Sequence, residues 1–489
     1  MKPIVLLLLP LLCPAAVAPN ELNAVLDLAR SAPGEFAADA LIRVASLDAL
    51  EKTKRIELLE EAFHRASEAQ QPWRREATIT RIGGAAVFLN RAYGQELDGL
   101  SLRLRAVNAM LAVDSRKARD LFTQIPPLDL PKVDCGEFLV YNVDLFYEVL
   151  GEIASRSFTT REVARHEPLM LLEQQAGNLK SPAQVAPMAQ LLVGSSFKDA
   201  DLQSLASAFS GSLGKIMGDD RSFTHYAEAT GPAVLRVVEE LKKRQLNPLP
   251  LIEAYRLYLV NNLAGTRCAD DDLMQHGGYA FSLNGRPANE VGGEAALFYD
   301  HELRMPPLRP LTEDEMTPSK LEGAASGLRR CRETECTALA AQYRGLIFDA
   351  SGSPLSANAR DTAEWQARLQ QFLNALASWK PGSDVSYDEY FREECDFYSG
   401  MVGALPNGPR RQDVVLLWLD FLRQSRTQME NRIEWFLPVN SLIARVGVDP
   451  LGLGKIADQL RKAGDPVIAL YVELERVAPR SAERIAPVL

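Results

Sequence analysis

Apolar residues recur every three or four positions along most of the chain, and charged residues fill many of the positions between them. Between residues 56 and 66, for example, Leu59, Phe63 and Ala66 are separated mainly by glutamate, arginine and histidine. This spacing places the apolar side chains along one face of an α-helix. The period restarts after Asp114, whose carboxylate is expected to accept hydrogen bonds from the first amides of a new helix.

The same helical period extends through the rest of the chain. The further predicted helical runs cover residues 137–156, 158–177, 183–193, 198–217, 221–244, 248–264, 318–347, 361–379, 387–403, 409–429 and 431–446. Sustained alternation of apolar and polar residues is absent from the sequence, and the Asn284-Gly285 pair lacks strand-like runs on its two sides. The sequence therefore predicts an all-α protein.

Helices of about 12–22 residues joined by short turns favour an irregular α-solenoid of stacked helical hairpins. The clearest hairpin joins residues 454–463 to 467–477 through Gly464, Asp465 and Pro466. Asp465 is expected to cap the second helix, and Pro466 to occupy its first turn. This unit resembles a tetratricopeptide- or HEAT-type helical hairpin, which implies a fold and no activity.

Two further segments are similar to uncharacterised secreted bacterial all-helical proteins. They are residues 33–41, Pro-Gly-Glu-Phe-Ala-Ala-Asp-Ala-Leu, and residues 256–260, which lead to Arg-Cys-Ala-Asp at 267–270. The resemblance implies a helical fold, and it assigns neither an activity nor a site.

Glycine and proline interrupt the helical pattern between residues 277 and 318, where the sequence has five of each. A loop longer than about 15 residues usually has a function of its own or lacks fixed structure. We therefore expect an N-terminal helical domain over 19–275, a Gly/Pro-rich connecting loop over 276–318 and a C-terminal helical domain over 319–489.

The first 18 residues have the pattern of an export signal: Lys2, an apolar run over 4–12 and small residues over 15–18. The apolar run is too short to span about 30 Å of hydrocarbon, and no later run is long enough to predict a transmembrane segment. The sequence thus predicts export to the periplasm or the extracellular medium. A lipid anchor on Cys13 is disfavoured because Leu12 precedes it, where a small residue is usual.

Cleavage after residue 18 leaves an odd number of cysteines, namely Cys135, Cys268, Cys331, Cys336 and Cys395. Pairing is expected in an oxidising compartment. A bridge between Cys331 and Cys336 is disfavoured, because residues five apart in a helix point about 140° away from each other. We favour a Cys268–Cys395 bridge, and the alternative is that the thiols are buried and pack as small hydrophobic groups.

One acidic cluster is a candidate metal site: Asp270, Asp271 and Asp272, followed by His276. Three adjacent carboxylates repel one another, and a hard cation such as calcium would compensate their charge. The favoured alternative is an acidic helix start, since aspartates interact well with the N-terminal end of the helix dipole.

Charge and motifs exclude several functional classes. The 54 basic and 64 acidic side chains give a net charge of −10, and no basic patch is present to bind nucleic acid. The sequence lacks a phosphate-binding loop, a His-Glu-x-x-His pair and a Gly-x-Ser-x-Gly elbow. It therefore predicts neither a cofactor nor an identifiable catalytic residue.

Two functions remain after these exclusions. The first is a non-enzymatic exported helical-repeat protein that binds a protein or polymer partner along its surface. The alternative is a hydrolase or lyase that acts on an envelope or extracellular polymer with a pair of carboxylates. The carboxylates considered for this chemistry are Asp270, Asp271, Asp272, Glu294, Asp300 and Glu302.

Overall fold

A computed structural model of the chain describes residues 19–70, 74–76, 95–133, 137–139, 141–218, 220, 222–263, 334–360, 362–383, 385–406, 408–446 and 465–478. The predicted export signal, with Cys13, lies outside these residues, as do the expected domain boundaries at 275 and 319. Within the described ranges the regular structure is helical, apart from one pair of short strands, which confirms the all-α prediction.

Thirteen α-helices are described before residue 264: α1 Pro19–Ser31, α2 Gly34–Ala45, α3 Lys52–Arg65, α4 Gly99–Leu111, α5 Ser115–Phe122, α6 Val143–Arg156, α7 Thr160–Ala164, α8 Glu167–Ala176, α9 Val185–Gly194, α10 Asp199–Leu213, α11 Ser222–His225, α12 Ala227–Lys243 and α13 Leu249–Leu263. Seven follow residue 333: α14 Thr334–Ile347, α15 Ala357–Arg360, α16 Ala363–Ser378, α17 Tyr387–Ala404, α18 Pro409–Ser425, α19 Arg432–Val446 and α20 Pro466–Val477.

Three of the predicted runs differ in detail from the structure, and one of them, over 221–244, is divided into α11 and α12 at Tyr226. Residues 137–139 form a strand, β2 (Glu137–Leu139), which pairs antiparallel with β1 (Arg74–Glu76), so the helix predicted over 137–156 begins only at Val143. The run predicted over 158–177 is split into α7 and α8, because His166 adopts the left-handed conformation with a φ of 59°. A non-glycine residue in that conformation ends one helix and redirects the chain into the next.

Most helices of the N-terminal part pack on helices one to three places away in the sequence. Helix α2 packs on α3, α3 on α4, α4 on α6, and α6 on both α8 and α9. Further along, α9 packs on α12 and α10 packs on α13. Packing between helices that are close together in the sequence is typical of a helical-repeat array.

Among the described C-terminal helices, the last one packs on the beginning of this array. Helix α18 packs on α19, α19 on α20, and α20 on both α1 and α2. The packing order of the described helices therefore runs from the C-terminal part through α20 into α1 and then on to α13. The last described helix in the sequence lies in the middle of the stack.

This central position explains why α20 is buried on all sides. The sequence predicts that Leu470, Tyr471 and Leu474 face inward, and all three are fully buried. The intervening residues, which include Val472 and Glu473, are buried too. The helical hairpin expected with residues 454–463 stays a prediction, because that segment lies outside the described residues.

The caps read from the sequence are confirmed. Asp465 Oδ1 accepts hydrogen bonds from the amides of Val467 and Ile468 at 2.9 and 3.1 Å. Asp114 Oδ1 accepts from the Lys117 amide at 3.1 Å and so caps α5. Both carboxylates satisfy amides that have no partner within their own helix.

Tryptophans anchor the C-terminal helices to one another. Trp365 on α16 donates its indole N–H to the carbonyl of Leu346 on α14 at 3.0 Å. Trp435 on α19 donates to the carbonyl of Leu422 on α18 at 2.7 Å. Both rings are fully buried, so each one fills the space between two helices and fixes their separation.

None of the described helices combines the length and the apolar character that are needed to cross a bilayer.

Because α20 packs on α1, α2 and α19, we expect the loss of its N-terminal cap to cost more stability than the loss of an ordinary cap. Asp465 also forms an ion pair with Arg426 at 2.9 Å, so D465A removes both a cap and a largely buried charge partner. We expect D465A to lower the free energy of unfolding by roughly 2–3 kcal/mol, and D114A by about 1 kcal/mol. Urea unfolding of both variants measures the difference, and equal losses would contradict the central role of α20.

Candidate functional site

The residues that the sequence singles out as a metal site lie outside the described residues. They are Asp270, Asp271, Asp272 and His276, and the same holds for Glu294, Asp300 and Glu302. The cation site and the carboxylate chemistry therefore stay predictions. Within the described ranges, no group of three or more His, Cys, Asp or Glu side chains is placed to hold a metal ion.

The predicted Cys268–Cys395 bridge is wrong, because Cys395 is a free thiol in the structure. Its side chain is buried between α17 and α18, against the indole of Trp418, and Cys268 lies outside the described residues. Burial raises the pKa of this thiol well above its usual value. Cys395 therefore packs as a small hydrophobic group, which was the alternative interpretation.

A row of ionisable residues on α2 joins the two ends of the described chain. Glu35, Asp39 and Arg43 are four residues apart and so lie on one face of the helix. Each meets a residue of α19 or α20 at 2.8 Å: Glu35 Oε1 with Arg432 Nε, Asp39 Oδ2 with the Tyr471 hydroxyl, and Arg43 Nη2 with Glu475 Oε1. We call these three pairs the α2 seam.

Asp39 is the centre of the α2 seam. One of its oxygens accepts a hydrogen bond from Arg105 Nη2 at 2.5 Å, and the other accepts from the Tyr471 hydroxyl at 2.8 Å. The side chains of Asp39 and Arg105 are only 8% and 9% exposed. Burial alone would lower the pKa of Arg105, but the adjacent Asp39 carboxylate outweighs it and holds that pKa above its usual value. Arg105 therefore stays charged.

Aromatic rings pack beside the charged pairs and hold α2, α19 and α20 together. The Phe36 ring lies 4.9 Å from the Phe436 ring and 6.0 Å from the Tyr471 ring, measured between centroids. The Phe436 and Tyr471 rings are 4.3 Å apart. Buried aromatic groups of this size dominate the energy of a helix interface. The charged pairs contribute mainly by setting the register of α2 against α19 and α20.

Glu35 carries the greatest electrostatic cost in the seam. Its side chain is completely buried, and burial raises the pKa of its carboxyl group, although Arg432 opposes that effect. Gln70 reinforces this end of the seam, because its side-chain amide donates to the carbonyl of Glu430 at 2.9 Å. The sequence held a signal for the seam: three ionisable residues at a four-residue spacing in an otherwise apolar helix mark a buried polar face.

A second buried carboxyl group lies on α17. Glu394 is 2% exposed and lies beside Tyr390, whose hydroxyl donates to the carbonyl of Trp379 at 3.2 Å. Burial raises the pKa of Glu394 to about 8, and the contact with the Tyr390 hydroxyl and the nearby Lys380 charge lower it only in part. No sequence motif marks this residue, because Glu393 and Glu394 read as part of an ordinary amphipathic helix.

The most exposed apolar surface in the described part of the chain lies on and beside α13. Leu249, Leu257 and Val260 are 59%, 49% and 43% exposed, and Met217, shortly after α10, is 64% exposed. The opposite side of α13 is buried, with Tyr255 and Tyr258 stacked at 5.6 Å. We call this exposed side the α13 face.

The geometry of the seam predicts that removing the buried Asp39 carboxylate destabilises the protein much more than removing the exposed Glu61 carboxylate. D39A leaves the buried Arg105 with only the Glu96 carboxylate, 4.0 Å away, as a charge partner. We therefore expect a loss of about 3 kcal/mol in the free energy of unfolding, the lower end of the range for a broken buried pair. E61A removes the exposed Arg30–Glu61 pair, which is 2.9 Å long, and should cost at most about 1 kcal/mol. If D39A does not fold, Y471F tests the same site by removing one hydrogen bond. Urea unfolding measures the loss for each variant. If D39A, or Y471F in its place, loses no more stability than E61A, the buried contact at Asp39 does not hold the helices together.

The raised pKa of Glu394 predicts that the free energy of unfolding falls as the pH rises. The folded protein keeps this proton up to about pH 8, whereas a carboxyl group with the ordinary value of 4.5 loses it earlier. The stabilisation is therefore complete below pH 4.5 and is lost between 4.5 and 8, by about 1.4 kcal/mol per pH unit. E394Q should remove this slope, whereas E239Q, at an exposed site on α12, should keep it. Parallel pH profiles for the wild type and E394Q would refute the shift.

Comparison with known proteins gives no family for the chain. No protein-family description and no curated protein matches it. Among solved structures, the NOT1 superfamily homology domain from Chaetomium thermophilum aligns over 95% of this chain and 98% of its own length, at 13% identity. The TM-score is 0.16, so this likeness carries no argument about fold or function.

Proposed function

We propose that the chain is a non-enzymatic, exported helical-repeat protein that binds a partner through the α13 face. The observation that carries the proposal is the concentration of exposed apolar side chains there. Of the seven large apolar side chains that are exposed in the described part of the chain, three lie on α13, and a fourth, Met217, follows α10, which packs on α13. Contiguous exposed apolar surface on a folded protein marks an interaction site.

The place of α13 in the array supports this use. Its buried side packs on α10 and α12, and it stands at the end of the packing order of the described helices. Side chains on the exposed side of a helix are usually polar when that side contacts only water. The α13 face is apolar at Leu249, Leu257 and Val260 instead.

The chemistry of the face favours a protein over a polar polymer as its partner. Burying a leucine or valine side chain contributes about 1.5–3 kcal/mol, and only an apolar counterpart provides that gain. Export, the other part of the proposal, is supported by the signal-like pattern of residues 1–18.

Site-specific photo-crosslinking tests the proposal in the native envelope and medium fractions. Leu257→p-benzoylphenylalanine places the crosslinker on the α13 face, and Leu417→p-benzoylphenylalanine places it on α18, where the leucine is 37% exposed. We expect a discrete crosslinked protein from position 257 and none from position 417, with mass spectrometry identifying the captured peptide. Absence of a product from position 257, or the same products from both positions, would refute a binding role for this face.

A further inference from the structure

Helices α10 and α13 lie side by side and run in the same direction. At one end, the Asn247 amide, just before α13, donates to Gln203 Oε1 on α10 at 3.1 Å. At the other end, Asn261 Nδ2 donates to the carbonyl of Gly214 at 3.3 Å. The exposed sides of α10 and α13 therefore form one surface along most of their length.

Small residues occupy the α10 side of this surface. Ala200, Ser207 and Gly211 are exposed, and at 100° per residue they fall within about 40° of one another, beside Gly214. Gly214 lets Leu257 approach closely, since Leu257 Cδ2 lies 3.2 Å from the position that a Cβ atom would take there. At Gly211 no neighbouring atom lies within 4 Å of that position, so the space above it is open.

Large apolar side chains form the opposite wall. Leu249, Leu257 and Val260 fall within about 80° of one another on α13, and all three are exposed. Arg256, which has an interaction within the chain, lies about 100° from Leu257, at the far edge of the exposed side. We call the space between the three apolar side chains and the small residues of α10 the α10–α13 groove. An amphipathic helix can lay its apolar side into a groove of this kind.

Lysines lie at both ends of the groove. Lys198 immediately precedes α10 and Lys215 follows its C-terminal end, about 25 Å further along the helix axis. Lys242 lies at the same end as Lys198, because Arg244, two residues later, donates to the carbonyl of Phe197 at 2.7 Å. All three lysines are exposed, and none forms an ion pair with another residue in the part of the chain that the structure describes.

The acidic residues near the groove leave these charges uncompensated at its ends. Asp199 is paired with Arg244 at 3.5 Å. Asp201 lies at least about 80° from the small residues of the groove, on the side of α10 that packs on α8. Glu253 is exposed near the middle of α13. The groove is therefore apolar along its length and basic at its two ends, with one carboxylate near its middle.

From this arrangement we propose that the partner of the α13 face is a protein that inserts an amphipathic helix into the α10–α13 groove, with acidic residues at both ends of its apolar side. The inference rests on the proposed function, because the apolar wall of the groove is the α13 face. A helix of about 17 residues spans the distance between the lysines at the two ends. Because the whole chain has a net charge of −10, the attraction is local and decreases with salt.

Binding of two synthetic peptides to the full chain tests the inference. Both are helices of about 17 residues with leucines at the a and d positions; one has glutamates near each end and the other has lysines there. By fluorescence anisotropy in about 50 mM salt, we expect a micromolar dissociation constant for the acidic peptide and at least about tenfold weaker binding of the basic one. Raising the salt to about 500 mM should remove most of this difference. Equal affinities in low salt, or no binding of the acidic peptide at about 1 mM, would overturn the inference.

Variants of the groove separate binding in the groove from general charge attraction. G211L fills the open space, and G345L makes the same change at an exposed glycine of α14 that also has no neighbouring atom within 4 Å. We expect G211L to weaken binding of the acidic peptide at least about tenfold and G345L to leave it unchanged.

Charge reversal provides the second pair of variants. K198E/K215E should weaken binding of the acidic peptide at least about tenfold in low salt. K52E/R368E, an equal change in charge at exposed sites on α3 and α16, should not. Circular dichroism verifies that each variant is folded. Unchanged affinity of folded G211L or of folded K198E/K215E overturns the inference.

The crosslinking result at position 257 separates a failure of this inference from a failure of the proposed function. Capture of an acidic amphipathic helix of another protein supports both. Capture of a protein segment without that pattern overturns the inference and keeps the binding role of the α13 face. Absence of any captured product overturns both.

Discussion

The carboxylate of Asp39 is the contact on which the arrangement of the helices depends. It accepts hydrogen bonds from Arg105 on α4 and from Tyr471 on α20, which are 66 and 432 residues away in the sequence. Because the group is buried and both of its oxygens are used, α20 is fixed against α2 in one register. The Arg43–Glu475 pair lies one turn further along both helices, so α2 and α20 run parallel.

Because of this register, α20 packs on α1 and α2, so the C-terminal helices precede the N-terminal ones in the packing order. A simple repeat array forms from contacts between neighbours in the sequence, and most helices between α2 and α13 follow that rule. The α2 seam is the exception, since it must bring together residues 397 to 432 positions apart. Such non-local contacts form slowly, and the aromatic group of Phe36, Phe436 and Tyr471 supplies the apolar burial that offsets the entropy of closing the chain.

The sequence was sufficient for the features that depend on local interactions. Helix periods, and the caps at Asp114 and Asp465, involve residues at most four positions apart, and the structure confirms them. The burial of Glu394 and the free thiol of Cys395 depend on packing between helices, which periodicity does not encode. The carboxylate site expected near residue 270 lies outside the described residues, and the α2 seam was missed although its four-residue spacing was visible.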